Sequence, residues 1–183
     1  MTWILAIDIG RVNMGYALYN GEHIKFDLFN IESHLNTKLI RKYGRVLSRT
    51  KILCEWLNEL IKNFDIKLIV VEKQVMKNTV AKNLENAISV ISIYNDINFK
   101  TYDPKNKFKY LHERFNAKKK EHKRIAEHYA LNIIRNFGYS TDHYYEFKKK
   151  DDISDAICMA VFTYESKKER LIKWLITDHN LPN

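Results

Sequence analysis

The sequence predicts an α/β protein built on a mixed five-stranded sheet, in which a three-strand antiparallel meander is continued by parallel strands and flanked by helices. Two observations predict it. Three strand-type segments succeed one another before residue 32, and from residue 37 onward the apolar period alternates between helix and strand. Length sets the frame: 183 residues, 45% of them apolar, suffice for one well-buried domain spanning residues 1–183, and no shift in composition marks a boundary.

The first strand is Trp3 to Ile9, the second Gly15 to Tyr19 and the third His23 to Phe29. Asn20-Gly21 is a hairpin signal between the last two, and Ile24, Phe26 and Leu28 alternate with Lys25 and Asp27. Residues 37–64 switch to helical spacing through Leu39, Tyr43, Val46, Leu53, Leu57, Leu60 and Phe64, with Gly44 expected as a weak point and not a break. Ile66 to Val71 is a short, β-branched, wholly apolar run, expected as a central strand buried on both faces. Residues 79–95 are helical through Val80, Leu84, Ala87, Ile88 and Ile91. A strand from Asn98 to Tyr102 ends before Asp103-Pro104. Two helices complete the chain, about 119–137, stopped by Gly138, and about 151–175. This β-β-β-α-β-α-β-α-α order is that of a ribonuclease H-like fold.

Charge narrows the function. Lys plus Arg number 31 against 22 Asp plus Glu, a net +9, so the expected partner is a polyanion, with nucleic acid first. No apolar run reaches membrane-spanning length, and Ile4-Leu5-Ala6-Ile7 is interrupted by Asp8 too soon for a signal peptide. A cytoplasmic, non-secreted protein is expected. Cys54 and Cys158 sit in helix-like apolar stretches as small core residues of a reducing compartment.

Four carboxylates stand out against this background. Asp8 and Glu72 each close a strand-type apolar run, where a buried charge needs a partner. A cation would supply it, as would a capped turn at Ile9-Gly10 for Asp8 or a salt bridge to Lys73 for Glu72. Asp152 and Asp155, three apart, share a face at the start of the last helix, where the helix dipole also favours acids; Asp151 points elsewhere and is free to cap or be solvated. Taken together, the four form a hard-oxygen set suited to Mg²⁺ or Mn²⁺, two ions per site, for in-line phosphodiester cleavage. The histidines show no zinc-ligand spacing.

A basic stretch offers the phosphodiester. Between Pro104 and Arg124 lie Lys105, Lys107, Lys109, Arg114, Lys118, Lys119, Lys120, Lys123 and Arg124, against Glu113 and Glu121 alone, with Phe108, Tyr110 and Phe115 interleaved. Such a run can be a plain solvated surface. Its density and aromatics favour phosphate contacts and base stacking.

Asp8-Ile9-Gly10 with Asn13 and Gly15, Val71-Glu72-Lys73-Gln74, and Lys149-Lys150-Asp152-Asp155-Ala156, in this order over nearly the whole chain, resemble the Holliday junction resolvases of the RuvC superfamily, most closely the poxvirus type. Arg11-Val12 departs from that type, which commonly has a lysine before the Asn and a proline after it. The resemblance implies a two-metal endonuclease with Asp8, Glu72, Asp152 and Asp155 as ligands and a functional lysine matched by Lys120 or Lys123. It further implies a homodimer that nicks opposing strands of a four-way DNA junction, in the host-cell cytoplasm if the source is viral, with the apolar face of residues 79–95 as the interface; packing of Leu84, Ile88 and Ile91 on this chain's own sheet is an equally compatible reading of that face. Two other readings stay open: a ribonuclease H-like nuclease acting on RNA-DNA hybrids or other branches, and a non-catalytic nucleic-acid-binding protein.

Overall fold

The computed structural model describes residues 1–102 and 122–165. Along them run β1 (Trp3–Ile9), β2 (Asn13–Tyr19), β3 (Ile24–Asn30), a 3₁₀ turn (Glu32–His34), α1 (Thr37–Asn63), β4 (Ile66–Glu72), α2 (Thr79–Tyr94), β5 (Asn98–Tyr102), α3 (His122–Asn136), α4 (Asp142–Glu146) and α5 (Lys150–Glu165). The strands form one sheet in the order β3-β2-β1-β4-β5. β1 to β3 are antiparallel, whereas β4 lies parallel to both β1 and β5. This is the expected meander with parallel continuation.

Period-2 alternation sorts the strand residues into two layers. Leu5, Ile7, Ile9, Ile69 and Val71 pack with α1 and α2 through Leu53, Leu57, Leu84 and Ile88. The opposite face of β1 and β2 carries Ala6, Ala17 and Tyr19 against Ile133 of α3 and Ile153, Ala156, Ile157 and Ala160 of α5. Small side chains on both sides let α5 settle close to the sheet. Asp8 and Glu72, in phase with Ala6 and Val70, therefore belong to the α5 face.

Local chemistry explains the turns. Asn20 Oδ1 accepts the backbone N–H groups of Glu22 and His23 at 2.9 and 2.7 Å, closing the β2–β3 hairpin around Gly21 at φ +96°. Gly138 stops α3 at φ +71°, with the Tyr139 N–H returned to the Ile134 carbonyl at 3.2 Å.

Three expectations are corrected. Gly44 is a break: at φ +73° and ψ +163° it leaves helical geometry altogether, and α1 is two helical segments joined at a kink. Tyr43 and Val46, expected on the buried stripe, are consequently exposed, with the packing face restored at Ser48, Ile52, Leu53 and Leu57. The third concerns residues 139–149, which show no strong period in the sequence yet contain α4. Burial of Tyr144 against the sheet-facing core, beyond the reach of local propensity, fixes that short helix. The expected extensions of α3 before residue 122 and of α5 beyond residue 165 lie outside the described residues. Cys54 and Cys158 are free thiols, half-buried and buried respectively. No helix among the described residues is long and apolar enough to cross a membrane.

Candidate metal centre

β1 and β4 are adjacent and parallel, with Ile7 registered against Val71. Their next residues, Asp8 and Glu72, thus emerge side by side at the carboxyl edge of the sheet. α5 brings Asp155 to the same place. One carboxylate oxygen from each of Asp8, Glu72 and Asp155 lies within 4.8 Å of the others, and all three side chains are half-buried. Three acids converging from three elements form a hard-oxygen donor set, the kind that fits Mg²⁺ or Mn²⁺ and lacks the nitrogen and sulfur ligands of zinc sites.

Asp152 does not belong to that three-acid set. It stands one turn before Asp155, half-buried; burial above all, then the neighbouring Asp151 carboxylate, raises its pKa. Asp151, expected to be dispensable, instead receives a hydrogen bond from Lys123 Nζ at 2.6 Å. Burial pushes the Asp151 carboxyl up, but the Lys123 hydrogen bond and charge outweigh it and hold it below its ordinary value. The Lys123 ammonium is held protonated above its usual range by Asp151 first, with Asp152 and Asp155 adding to the effect, and its side chain remains 77% exposed. Of the two candidate lysines, Lys123 therefore stands beside the acidic helix, whereas Lys120 lies outside the described residues. So do Lys105, Lys107, Lys109, Arg114, Lys118 and Lys119; Arg124 is exposed in the first turn of α3.

Three further residues position the acids. Gly15 faces Asp8 across the β1–β2 ladder, and a Cβ there would run into the Asp152 carbonyl. Its lack of a side chain sets how near α5 comes to β2. Glu85 of α2, almost wholly buried, accepts the Gln74 backbone N–H at 2.8 Å and pairs with Lys82 at 2.6 Å, anchoring the chain that leaves Glu72. Tyr144 of α4 meets Ser154 Oγ at 2.6 Å through its hydroxyl and so pins the first turns of α5. Gly15 carried a sequence signal, since glycine inside a strand marks a close backbone approach. Glu85 and Tyr144 carried none, because only tertiary structure brings their partners to them.

Replacing Glu85 by alanine strands the Gln74 N–H and the Lys82 ammonium. The expected cost is about 1–3 kcal/mol, read as a lower urea midpoint, together with weaker Mn²⁺ binding by calorimetry as the segment after Glu72 loosens.

Comparison with solved structures places the fold. Over 91% of the chain and 96% of the other, it superposes on Thermus thermophilus RuvC in complex with a Holliday junction substrate, with TM-score 0.63 and 12% identity. A separate structure of Thermus thermophilus RuvC gives 0.60 at 14% identity over the same shares of both chains. The fold is ribonuclease H-like. The yeast mitochondrial Holliday junction resolvase Ydc2 shares this fold with TM-score 0.60 and 18% identity, over 94% of this chain and 85% of that one. No protein-family model matches the chain, and no curated protein does. The ribonuclease H-like sheet accounts for where the acids sit: two strand ends of a parallel pair, covered by the last helix described.

Proposed function

We propose that the protein is a metal-dependent endonuclease that resolves four-way DNA junctions by paired nicks, a resolvase of the RuvC superfamily and of poxvirus type. The observation that carries this reading is the meeting of Asp8, Glu72 and Asp155 at the sheet edge of a fold shared with two junction resolvases. Asp8, Glu72 and Asp155, with Asp152 alongside, would hold two Mg²⁺ or Mn²⁺ ions, which when bound stabilise the attacking and departing oxygens of an in-line displacement. Lys123, held charged beside the acids, would neutralise phosphate. The basic stretch from Lys105 to Arg124 supplies further phosphate contacts.

A symmetric junction calls for a two-fold enzyme. On α2, Leu84 and Ile88 are spent on the sheet, but Val90, Ile93 and Tyr94 are 64%, 72% and 89% exposed on the outer side. These three are the interface we assign to a homodimer. In a viral setting the enzyme would work in the host-cell cytoplasm.

The deciding experiment offers purified protein, with Mg²⁺ or Mn²⁺, a panel of four-way junction, flap, RNA-DNA hybrid and linear duplex. Paired nicks in the junction, with the duplex left largely intact, are expected. Preferential cutting of the hybrid would replace this reading with that of a hybrid nuclease, and no cutting of any substrate would leave a binding protein.

A further inference from the structure

A second cationic region lies far from the basic stretch in sequence. Between Glu32 and Glu55 the chain has no acidic residue and six cations: Lys38, Arg41, Lys42, Arg45, Arg49 and Lys51. The first part of this region keeps Leu39 against the core and is interrupted by the kink at Gly44. Every residue from Arg41 to Leu47 is exposed, Leu47 by 60%, and burial resumes only at Ser48.

The position of this segment follows from backbone contacts. The Ile31 N–H donates to the Val12 carbonyl at 2.9 Å, so the chain leaving β3 is tied to the turn that follows Asp8. Arg11 of that turn in turn donates to Asn78 Oδ1, the cap of α2, at 3.3 Å. The segment therefore rises from the same sheet edge as the three carboxylates. Its two ends are clamped together: Glu32 accepts a hydrogen bond from Arg45 at 2.8 Å and pairs with Arg49. The Arg45 hydrogen bond first, and Arg49 with it, holds the Glu32 carboxyl below its ordinary value. That clamp consumes two of the cations. Lys38, Arg41 and Lys42 have no ion pair with an acid among the described residues, and their i, i+3, i+4 spacing puts them on one helical face.

We propose that residues 36–47 form a second DNA-contact arm, in which Lys38, Arg41 and Lys42 grip the sugar-phosphate backbone of a duplex arm of the substrate leading into the carboxylate edge. This rests on the nuclease reading above. Charge complementarity selects the occupant: three like-charged, exposed side chains in a row repel a second copy of the same face and match closely spaced phosphates. The clamp and the kink give the row a fixed direction, so it orients the duplex as well as attracting it.

The test measures binding of a four-way junction in EDTA, from 50 to 300 mM KCl, for wild type and the K38A/R41A/K42A variant. The variant is expected to bind roughly tenfold more weakly near 100 mM salt, with a salt slope lower by about 2–3. Truncating the junction arms should erase the difference. The charge-preserving K38R/R41K/K42R variant should bind as wild type does. Equal affinity and slope in wild type and the alanine variant would overturn the arm and leave the nuclease reading standing. Equal loss in both variants would also overturn it, since the effect would then come from the fold and not from charge. A wild type that binds no nucleic acid would remove both readings together.

Discussion

Glu72→Gln is expected to lower junction cleavage at least about 10³-fold while junction binding is retained. Glutamine keeps the shape of the side chain at the end of β4 and removes one of the three carboxylates whose oxygens meet within 4.8 Å. A hard divalent ion binds anionic oxygen far better than a neutral amide, so the loss falls on metal affinity and on the chemical step. It should not fall on the fold. Glutamine preserves the shape of the side chain, so the metal-free variant is expected to unfold at about the wild-type temperature. Cleavage assays, gel-shift binding and thermal melts in EDTA separate these effects. Cleavage by the variant at the wild-type rate would remove Glu72 from the metal site.

Gly15→Ala is the second substitution with a large expected effect, and it acts without touching an acid. The new methyl group would overlap the Asp152 backbone carbonyl, so either β2 must bend or α5 must lift. Backbone has little room to yield in a close-packed layer, and overpacking of this kind costs about 1–3 kcal/mol. If α5 lifts, Asp155 moves away from Asp8 and Glu72. Activity should then fall further than the loss of folded protein explains, and Mn²⁺ titration should show weaker binding under conditions where circular dichroism reports full folding. Wild-type stability and cleavage in this variant would mean that the contact between β2 and α5 does not govern the site.

The sheet was legible in the sequence because its strands obey local rules. The alternation in Ile24 to Leu28, the Asn20-Gly21 turn and the apolar run before Glu72 each have one structural solution, and β3, its hairpin and β4 follow. The acids were legible for a related reason, since a charge at the end of an apolar strand needs a partner. Less accessible was whatever depends on a distant partner. Gly44 looks like a tolerable flaw in a long amphipathic period, but the Glu32 clamp on Arg45 and Arg49 accompanies a full break there. Tyr144 lies in a segment without periodicity and acquires its helix from burial. Asp151 seemed a solvated acid until folding placed Lys123, 28 residues earlier, against it.

The burial of the last helix described limits how far the carboxylate edge can move. From Ile153 to Thr163 every residue of α5 is buried except Asp155, so this helix has no solvent face along most of its length and serves as an interior spar. A spar enclosed on all sides cannot swing or slide without opening the layer between the sheet and α3. The helix that carries Asp155 is thereby a fixed support, and on the nuclease reading proposed above a duplex would have to fit itself to the carboxylate edge.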